Sequence, residues 1–393
     1  MKALQFERKP ARYVAARVAS EVLPGGGARV GPLRLVDIDP PDLPGPDWVR
    51  IRPRLAGICG SDLATIDGRS TRYFDPIVSF PFVPGHEVVA DTEDDTRVVV
   101  EPVLGCVARA ISPRCDACAR GDLGNCERIA FGRLEPGLQS GFCCDTGGGW
   151  SISMVAHESQ LHRVPEGMSD EAAVMVEPTA CAIHAVMANV TPGSVVAVLG
   201  AGTLGLACIA ALREHAAPTT LIAGAKHSQQ QHLASSLGAD LVVEPDELGR
   251  AVRRLTGSLA VASQLTGGAD FVLDCVGSDD SITDALSMVR PRGTVVLVGM
   301  PGSVKVDLTP LWHRETRLVG AYAYGSESMA DGTQRRTFEL AFDLVASAGL
   351  ERLVSGTYPL GRYRDAIEHA ASAGRRGAVK IAFDMRNERE RNR

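Results

Sequence analysis

The chain has 393 residues, 45% hydrophobic and 22% charged, with a formal net charge of −6. That length accommodates two domains, each with its own core, and the acidic balance gives no reason to expect nucleic acid or a membrane as partner. Met1-Lys2-Ala3-Leu4-Gln5 leads into no hydrophobic signal core, so a cytoplasmic location is expected. Ten cysteines there point to metal or core thiols before disulfides.

Residues 1–175 are rich in Val, Pro and Gly, with short apolar runs such as Trp48-Val49-Arg50-Ile51, Val88-Val89 and Val98-Val99-Val100. This is the pattern of a small β-barrel or sandwich. Tyr13 to Leu33, broken at Pro24-Gly25-Gly26-Gly27, reads as an extra hairpin or loop. Gly57-Ile58-Cys59-Gly60-Ser61-Asp62 and Gly85-His86-Glu87 follow. Cys59, His86 and Glu87 supply a thiolate, an imidazole and a carboxylate, a mixture that suits zinc; each alone reads equally as a core or satisfied polar residue. Cys106, Cys115, Cys118 and Cys126 form a second cluster, and four thiolates close a tetrahedral structural zinc site. The gap between Cys106 and Cys115 is long for such a loop, and four reduced thiols without metal are the alternative. Adjacent Cys143 and Cys144 read as packing.

Val195 to Leu212, VVAVLGAGTLGLACIAAL, reads as strand, glycine turn and helix. Gly200 allows the turn, Gly202 leaves room for a pyrophosphate and Gly205 lets helix and strand approach. Thr203 and Leu204 open the helix, whose free N–H groups face the phosphates. A turn without ligand is the alternative. A membrane span over the uncharged stretch Pro178 to Leu212 is disfavoured by Pro192, Gly193 and the three glycines. Further strands are expected at Thr220–Ala223, Leu241–Val243, Asp270–Cys275 and Gly293–Gly299, with a helix at Gln229–Gly238, which gives a parallel sheet. An NAD site places an acid at the end of the second strand. Here the turn is Gly224-Ala225-Lys226-His227, with no carboxylate to repel a phosphate and a cation following, so NADP is expected over NAD. After Met329 a helix, a strand, a helix and a closing strand Ala378-Val379-Lys380-Ile381 are expected, with Lys380 a plain strand-edge lysine before a phosphate contact. The tail from Arg386 to Arg393 reads as frayed.

The glycine turn, GICGSD, GHE, the four-cysteine lobe and Val176-Glu177-Pro178 together resemble the zinc-dependent medium-chain dehydrogenases, which include alcohol, polyol, threonine and glucose dehydrogenases. The resemblance implies an α/β and β fold. Residues 1–178 would be a GroES-like catalytic domain and 179–325 a Rossmann doubly wound parallel sheet, with 326–393 returning to complete the first. It implies reversible alcohol–carbonyl chemistry on a small molecule with a nicotinamide cofactor, in a homodimer or homotetramer. By position, Cys59, His86 and Glu177 match catalytic-zinc ligands, and Glu87 a ligand or exchange partner. Ser61 matches the hydroxyl at the substrate oxygen, and Asp62 the acid that orients the histidine. Cys106, Cys115, Cys118 and Cys126 match structural-zinc ligands. Ala64 stands where the classical alcohol dehydrogenases carry a proton-relay histidine, so a relay would run through Ser61, the cofactor ribose and water. A zinc-free double-bond reductase and a non-catalytic nucleotide-binding scaffold are the competing readings.

Overall fold

The computed structural model describes residues 1–262 and 264–388. It divides into two compact units. The first comprises Met1–Glu177, Tyr324–Ser326 and Gly349–Arg393; the second comprises Pro178–Ala323 and Glu327–Ala348. The stretch after 325 is thus shared between the units, with the helix Thr337–Ala348 in the second.

The first unit is β-rich. Its seven-stranded sheet runs, in spatial order, Val354–Tyr358, Lys380–Asp384, Trp48–Gly57, Val88–Asp91, Arg97–Val100 and Leu161–Arg163, with Met154–His157 paired to the far half of Trp48–Gly57. The valine-rich runs supply β-branched side chains to both faces. Trp150, Phe82, Phe6 and Phe383 lie in its principal core, and their burial removes large aromatic surfaces from water.

The stretch Tyr13 to Leu33, expected as an extra hairpin or loop, is instead helical, Pro10–Val22 followed by Gly27–Val30. Pro10 occupies the first helical turn, where its missing N–H is no loss, and the alanine-rich run after it favours helix over strand. The first helix is bolted to the segment that follows the helix Gly60–Ile66. Tyr13 Oη donates to Ser70 O (2.8 Å), and the Asp67 carboxylate accepts from Gly25 N (3.0 Å) and Gly27 N (3.1 Å).

The closing strand also differs from expectation. Lys380–Asp384 is interior, flanked on both sides, so Lys380 is only 2% exposed rather than at an edge. Arg386 is held by Asp384 (2.7 Å), Asp170 (3.3 Å) and Glu171 (3.2 Å), so the tail is fixed that far; the remainder of the expected frayed tail, 389–393, lies outside the described residues.

The second unit is a six-stranded parallel sheet. Its spatial order is Leu241–Val243, Thr220–Gly224, Val195–Leu199, Ala269–Asp274, Val289–Leu297 and Arg317–Gly320. Counted in chain order within the unit this is 3-2-1-4-5-6, the doubly wound arrangement whose nucleotide site lies where the order reverses, at the end of Val195–Leu199. The last strand is short and half-exposed, and carries no alternation that would mark it in sequence.

Candidate active site and metal centres

Cys59 ends the long strand region and caps the helix Gly60–Ile66. Its sulfur accepts from the backbone of Asp62, whose carboxylate in turn accepts from Cys59 N (3.0 Å). This reciprocal cap satisfies two of the orphan donors at the helix start. The other oxygen of Asp62, Oδ1, lies 3.5 Å from His86 Nδ1, and both atoms are buried without a closer partner. A carboxylate on Nδ1 leaves Nε2 as the ring nitrogen for a metal. Burial opposes a charge on His86, but Asp62 and the Cys59 thiol outweigh it and hold the imidazole well above its ordinary range.

Glu87, the next residue, is 1% exposed. Gly57 has no side chain because its Cβ would overlap the Glu87 carboxylate. Lys380 Nζ contacts both carboxylate oxygens, Oε1 at 2.6 Å, and reaches Ile58 O at 3.4 Å. Burial disfavours the Lys380 charge, yet Glu87 and, less strongly, Cys59 raise its pKa overall. Glu177, in the first turn of Val176–Met187, is also buried, and Tyr324 Oη donates to its Oε1 (3.1 Å). Burial and the nearby Glu87 charge push its carboxyl up to about 7 against the pull of His86 and Lys380.

The candidate ligand atoms of Cys59, His86 and Glu87 all lie within 4.8 Å of one another. Glu177, expected as the third ligand, stands outside that set, although its charge interacts with His86 and Glu87. Ser61 is half-buried in the helix that Cys59 caps, and Ala64 lies one turn on. A thiolate, an imidazole and a carboxylate whose ligand atoms lie this close together fit zinc with a position open to water or substrate.

The four-cysteine lobe is closed. Cys106, Cys115, Cys118 and Cys126 are buried, with all four sulfurs within 4.8 Å of one another. The Cys106–Cys126 and Cys115–Cys126 sulfur separations are 3.7 and 4.0 Å. Four sulfurs at about 2.3 Å from one zinc stand roughly 3.8 Å apart along each tetrahedral edge, so the spacing fits. Backbone N–H groups already point at the sulfurs: Cys115 N at Cys106, Cys118 N at Cys115, Cys106 N at Cys118 and Arg128 N at Cys126, at 3.4 to 3.5 Å. Burial pushes Cys126 up to about 11; Cys115, against burial, is drawn down to about 7 by the N–H groups of Cys118 and Glu127. Cys143 is buried and Cys144 half-buried, apart from this group.

In the second unit, Gly200 has φ +88°, and a Cβ there would meet Val276 Cγ2 at 2.6 Å; a Cβ on Gly205 would overlap Gly200 O. Gly202 has open space where its Cβ would lie, and Thr203 and Leu204 are half-exposed. Backbone can therefore approach a pyrophosphate at the start of Thr203–Ala211. Gly224 O accepts from Gly200 N (3.2 Å), and Ala225 is pinned by Val243 O and Gln231 Nε2. Lys226 is exposed, and His227 precedes the helix Ser228–Ser236 without capping it.

Three interior roles were missed in the sequence. Lys380 and Tyr324 join the site only because distant segments return to the first unit, and Arg109 is buried inside the lobe. Local pattern carries no signal for the first two. The long Cys106–Cys115 loop was the available clue to the third.

A two-unit chain with a glycine-turn nucleotide fold and a Cys–His–Glu pocket belongs among the nicotinamide-dependent oxidoreductases. Residues 45–166 match the model of the alcohol dehydrogenase GroES-like domain, and residues 203–363 that of the zinc-binding dehydrogenase domain. The L-idonate 5-dehydrogenase of Vitis vinifera is 29% identical over 370 residues, covering 90% of this chain and 93% of that protein. The sorbitol dehydrogenase of Arabidopsis thaliana is 28% identical, with 87% and 89% covered. Among solved structures, zinc-dependent alcohol dehydrogenase 2 from Streptococcus pneumonia superposes with a TM-score of 0.71 at 23% identity, covering 98% of this chain and 99% of that one. The chain belongs to the zinc-dependent medium-chain dehydrogenase family, and is an enzyme that interconverts alcohols and carbonyls with zinc and a nicotinamide cofactor.

Proposed function

We propose that the protein is an NADP-preferring polyol or secondary-alcohol dehydrogenase. Its catalytic zinc would be held by Cys59, His86 and Glu87, with Glu177 in reserve as an exchange ligand. The observation that carries the reading is the buried Cys59–His86–Glu87 set, backed by Lys380 and Asp62. The identities of the plant relatives, an idonate and a sorbitol dehydrogenase, favour a polyhydroxylated substrate. Lys226 and the absence of an acid at Gly224 favour the 2′-phosphate. The four cysteines of the lobe would hold a second, structural zinc.

Zinc, when bound, supplies Lewis-acid polarisation of the alcohol or carbonyl oxygen, and the nicotinamide supplies or accepts the hydride. The chain's own groups do the rest. Asp62 fixes the His86 ring through Nδ1. Lys380 holds the Glu87 carboxylate in place. Tyr324 steadies Glu177. Ser61, half-buried on the helix that Cys59 caps, would hydrogen-bond the substrate oxygen and hand its proton on towards water, since Ala64 provides no imidazole. Alcohol and NADP⁺ become carbonyl, NADPH and one proton released to solvent.

A cytoplasmic location and a homo-oligomeric assembly complete the reading; no described helix is long and apolar enough to cross a membrane. The test is a panel of polyols, sugars and secondary alcohols with NADP⁺ and NAD⁺, followed by absorbance of the reduced nicotinamide, with Cys59→Ser as control. Polyol turnover that is faster with NADP⁺ and lost in the control is expected. Turnover that survives Cys59→Ser removes the zinc assignment.

A further inference from the structure

The loop between Cys106 and Cys115 is folded around one side chain. Arg109 is 0% exposed, among the largest fully buried side chains of the chain. Its Nε donates to Leu104 O (3.0 Å). Nη1 donates to Phe131 O (3.1 Å), Leu134 O (3.2 Å) and Glu135 O (3.3 Å), and Nη2 to Gly137 O (2.5 Å). The loop turns back on itself to place it. Arg109 N donates to Gly105 O, Ala110 N to Val107 O and Ile111 N to Cys106 O, with Ala110 at φ +54°. On the far side Gly132, at φ +93°, lets Arg133 N reach Arg109 O, where a Cβ would stand 2.6 Å from that oxygen.

Every acceptor of the guanidinium is therefore a neutral carbonyl, and among the described residues Arg109 forms no ion pair with a carboxylate. A fully buried charge held only by dipoles is expensive without an opposite charge. Burial lowers the Arg109 pKa, and against it act the thiol of Cys143, which lies apart from the lobe's four, and then Cys126, Asp145 and Cys106. Asp145 is half-buried and already accepts from Glu135 N. The other arginines of the lobe, Arg114, Arg120, Arg128 and Arg133, are exposed. Four thiolates around one zinc ion leave two net negative charges in a shell closed to water, and the peptide N–H groups on the sulfurs supply only partial charges.

We propose that Arg109 is the counter-charge of the four-thiolate centre, so that the lengthened loop is a device for retaining metal. Arg109 is a positioning residue: it touches neither substrate nor cofactor, and acts by setting the charge against which the thiolates form. This rests on the reading that the lobe holds zinc.

The experiment compares the wild type, Arg109→Lys, Arg109→Gln and Cys115→Ser as purified full-length holoenzymes. Zinc per chain is measured by mass spectrometry, and zinc release to a chelating dye is followed at neutral pH. Cys115→Ser marks which zinc is the lobe's. Arg109→Lys and Arg109→Gln both break the five-carbonyl lattice, so a merely structural arginine predicts equal release from the two. A counter-charge predicts that Arg109→Gln releases lobe zinc about ten- to a hundredfold faster than wild type, whereas Arg109→Lys stays within about threefold. Equal release rates from the two variants overturn the proposal. Should Arg109→Gln fail to fold, Arg109→Ala refolded with zinc in guanidinium or in equimolar urea decides the point. Retention restored by guanidinium and not by neutral urea supports the counter-charge; equal retention in both overturns it. A wild type holding one zinc, unchanged by Cys115→Ser, overturns the metal reading of the lobe itself.

Discussion

Lys380 and Glu87 form the most buried ion pair described in the chain, at 2% and 1% exposure of their side chains. Such a pair is weak evidence for stability, because taking two charges out of water costs several kcal/mol per ion. Its place beside Cys59 and His86 fits a role in positioning the Glu87 carboxylate. Lys380→Met would leave Glu87 buried and unpaired in the zinc-free protein, at a cost of about 3–5 kcal/mol, while bound zinc would take up part of that charge. The variant is therefore expected to melt normally or slightly low with zinc, and far lower than wild type after chelation. Equal melting losses with and without zinc would show that Glu87 does not face the metal. Little of this was legible in sequence: Cys59, His86 and Glu87 announce themselves as ligand chemistry, but a lysine in an apolar strand looks the same at an edge as in the interior, and only the sheet order decides.

Among the elements, the N-terminal helix Pro10–Val22 changes most between sequence and structure. Its glycine run suggested a hairpin or loop, yet the alanines and Pro10 build a helix that stops at Leu23, held extended before Pro24. What the insert does follows from its fixings. Asp67 receives both Gly25 N and Gly27 N, and Ser20 Oγ donates to Asp67 O at 3.2 Å. Asp67 opens the loop to Val83, which follows directly on the helix that Cys59 caps and which we propose reads the substrate, so the insert anchors its root. Asp67→Ala strands two buried backbone donors and should cost about 2–6 kcal/mol, from roughly 1–3 for each unsatisfied group. Asp67→Asn, which keeps one accepting oxygen, should cost about half as much. Steady-state kinetics are expected to show KM for the alcohol rising several-fold in Asp67→Ala with kcat little changed. A fall in kcat at constant KM would mean that the insert supports the metal helix instead. The cysteine lobe was the more readable element: residue type and spacing alone singled out the four cysteines whose sulfurs come together, whereas the burial of Arg109 in the long loop carried no such mark.

At the scale of the whole molecule, fold legibility followed periodicity. The alternating strands and helices after Val195 specify a parallel sheet, and its order 3-2-1-4-5-6 is the arrangement the glycine turn requires. The edge strand Arg317–Gly320, with exposed ends and no alternation, left no such trace. On the reading proposed above, which nicotinamide the sheet accepts turns on one exposed cation, Lys226, and linkage would make that choice visible in the stability of the entire chain. A ligand that binds only the native protein stabilises it by about 2.7 kcal/mol at a hundred times its Kd. NADP⁺ at such a concentration should therefore raise the melting temperature of the zinc-loaded enzyme. In Lys226→Glu the 2′-phosphate would meet a carboxylate instead of an ammonium, and a ten- to hundredfold weaker Kd corresponds to roughly 1.4–2.8 kcal/mol, enough to remove most of that gain. NAD⁺ has no 2′-phosphate, so its thermal shift should move by less than the equivalent of about threefold in Kd. Thermal shifts for both cofactors, measured on wild type and Lys226→Glu at matched zinc content, decide the matter. If the two shifts shrink together, Lys226 does not read the phosphate and the preference for NADP⁺ fails, while the metal site stands untouched.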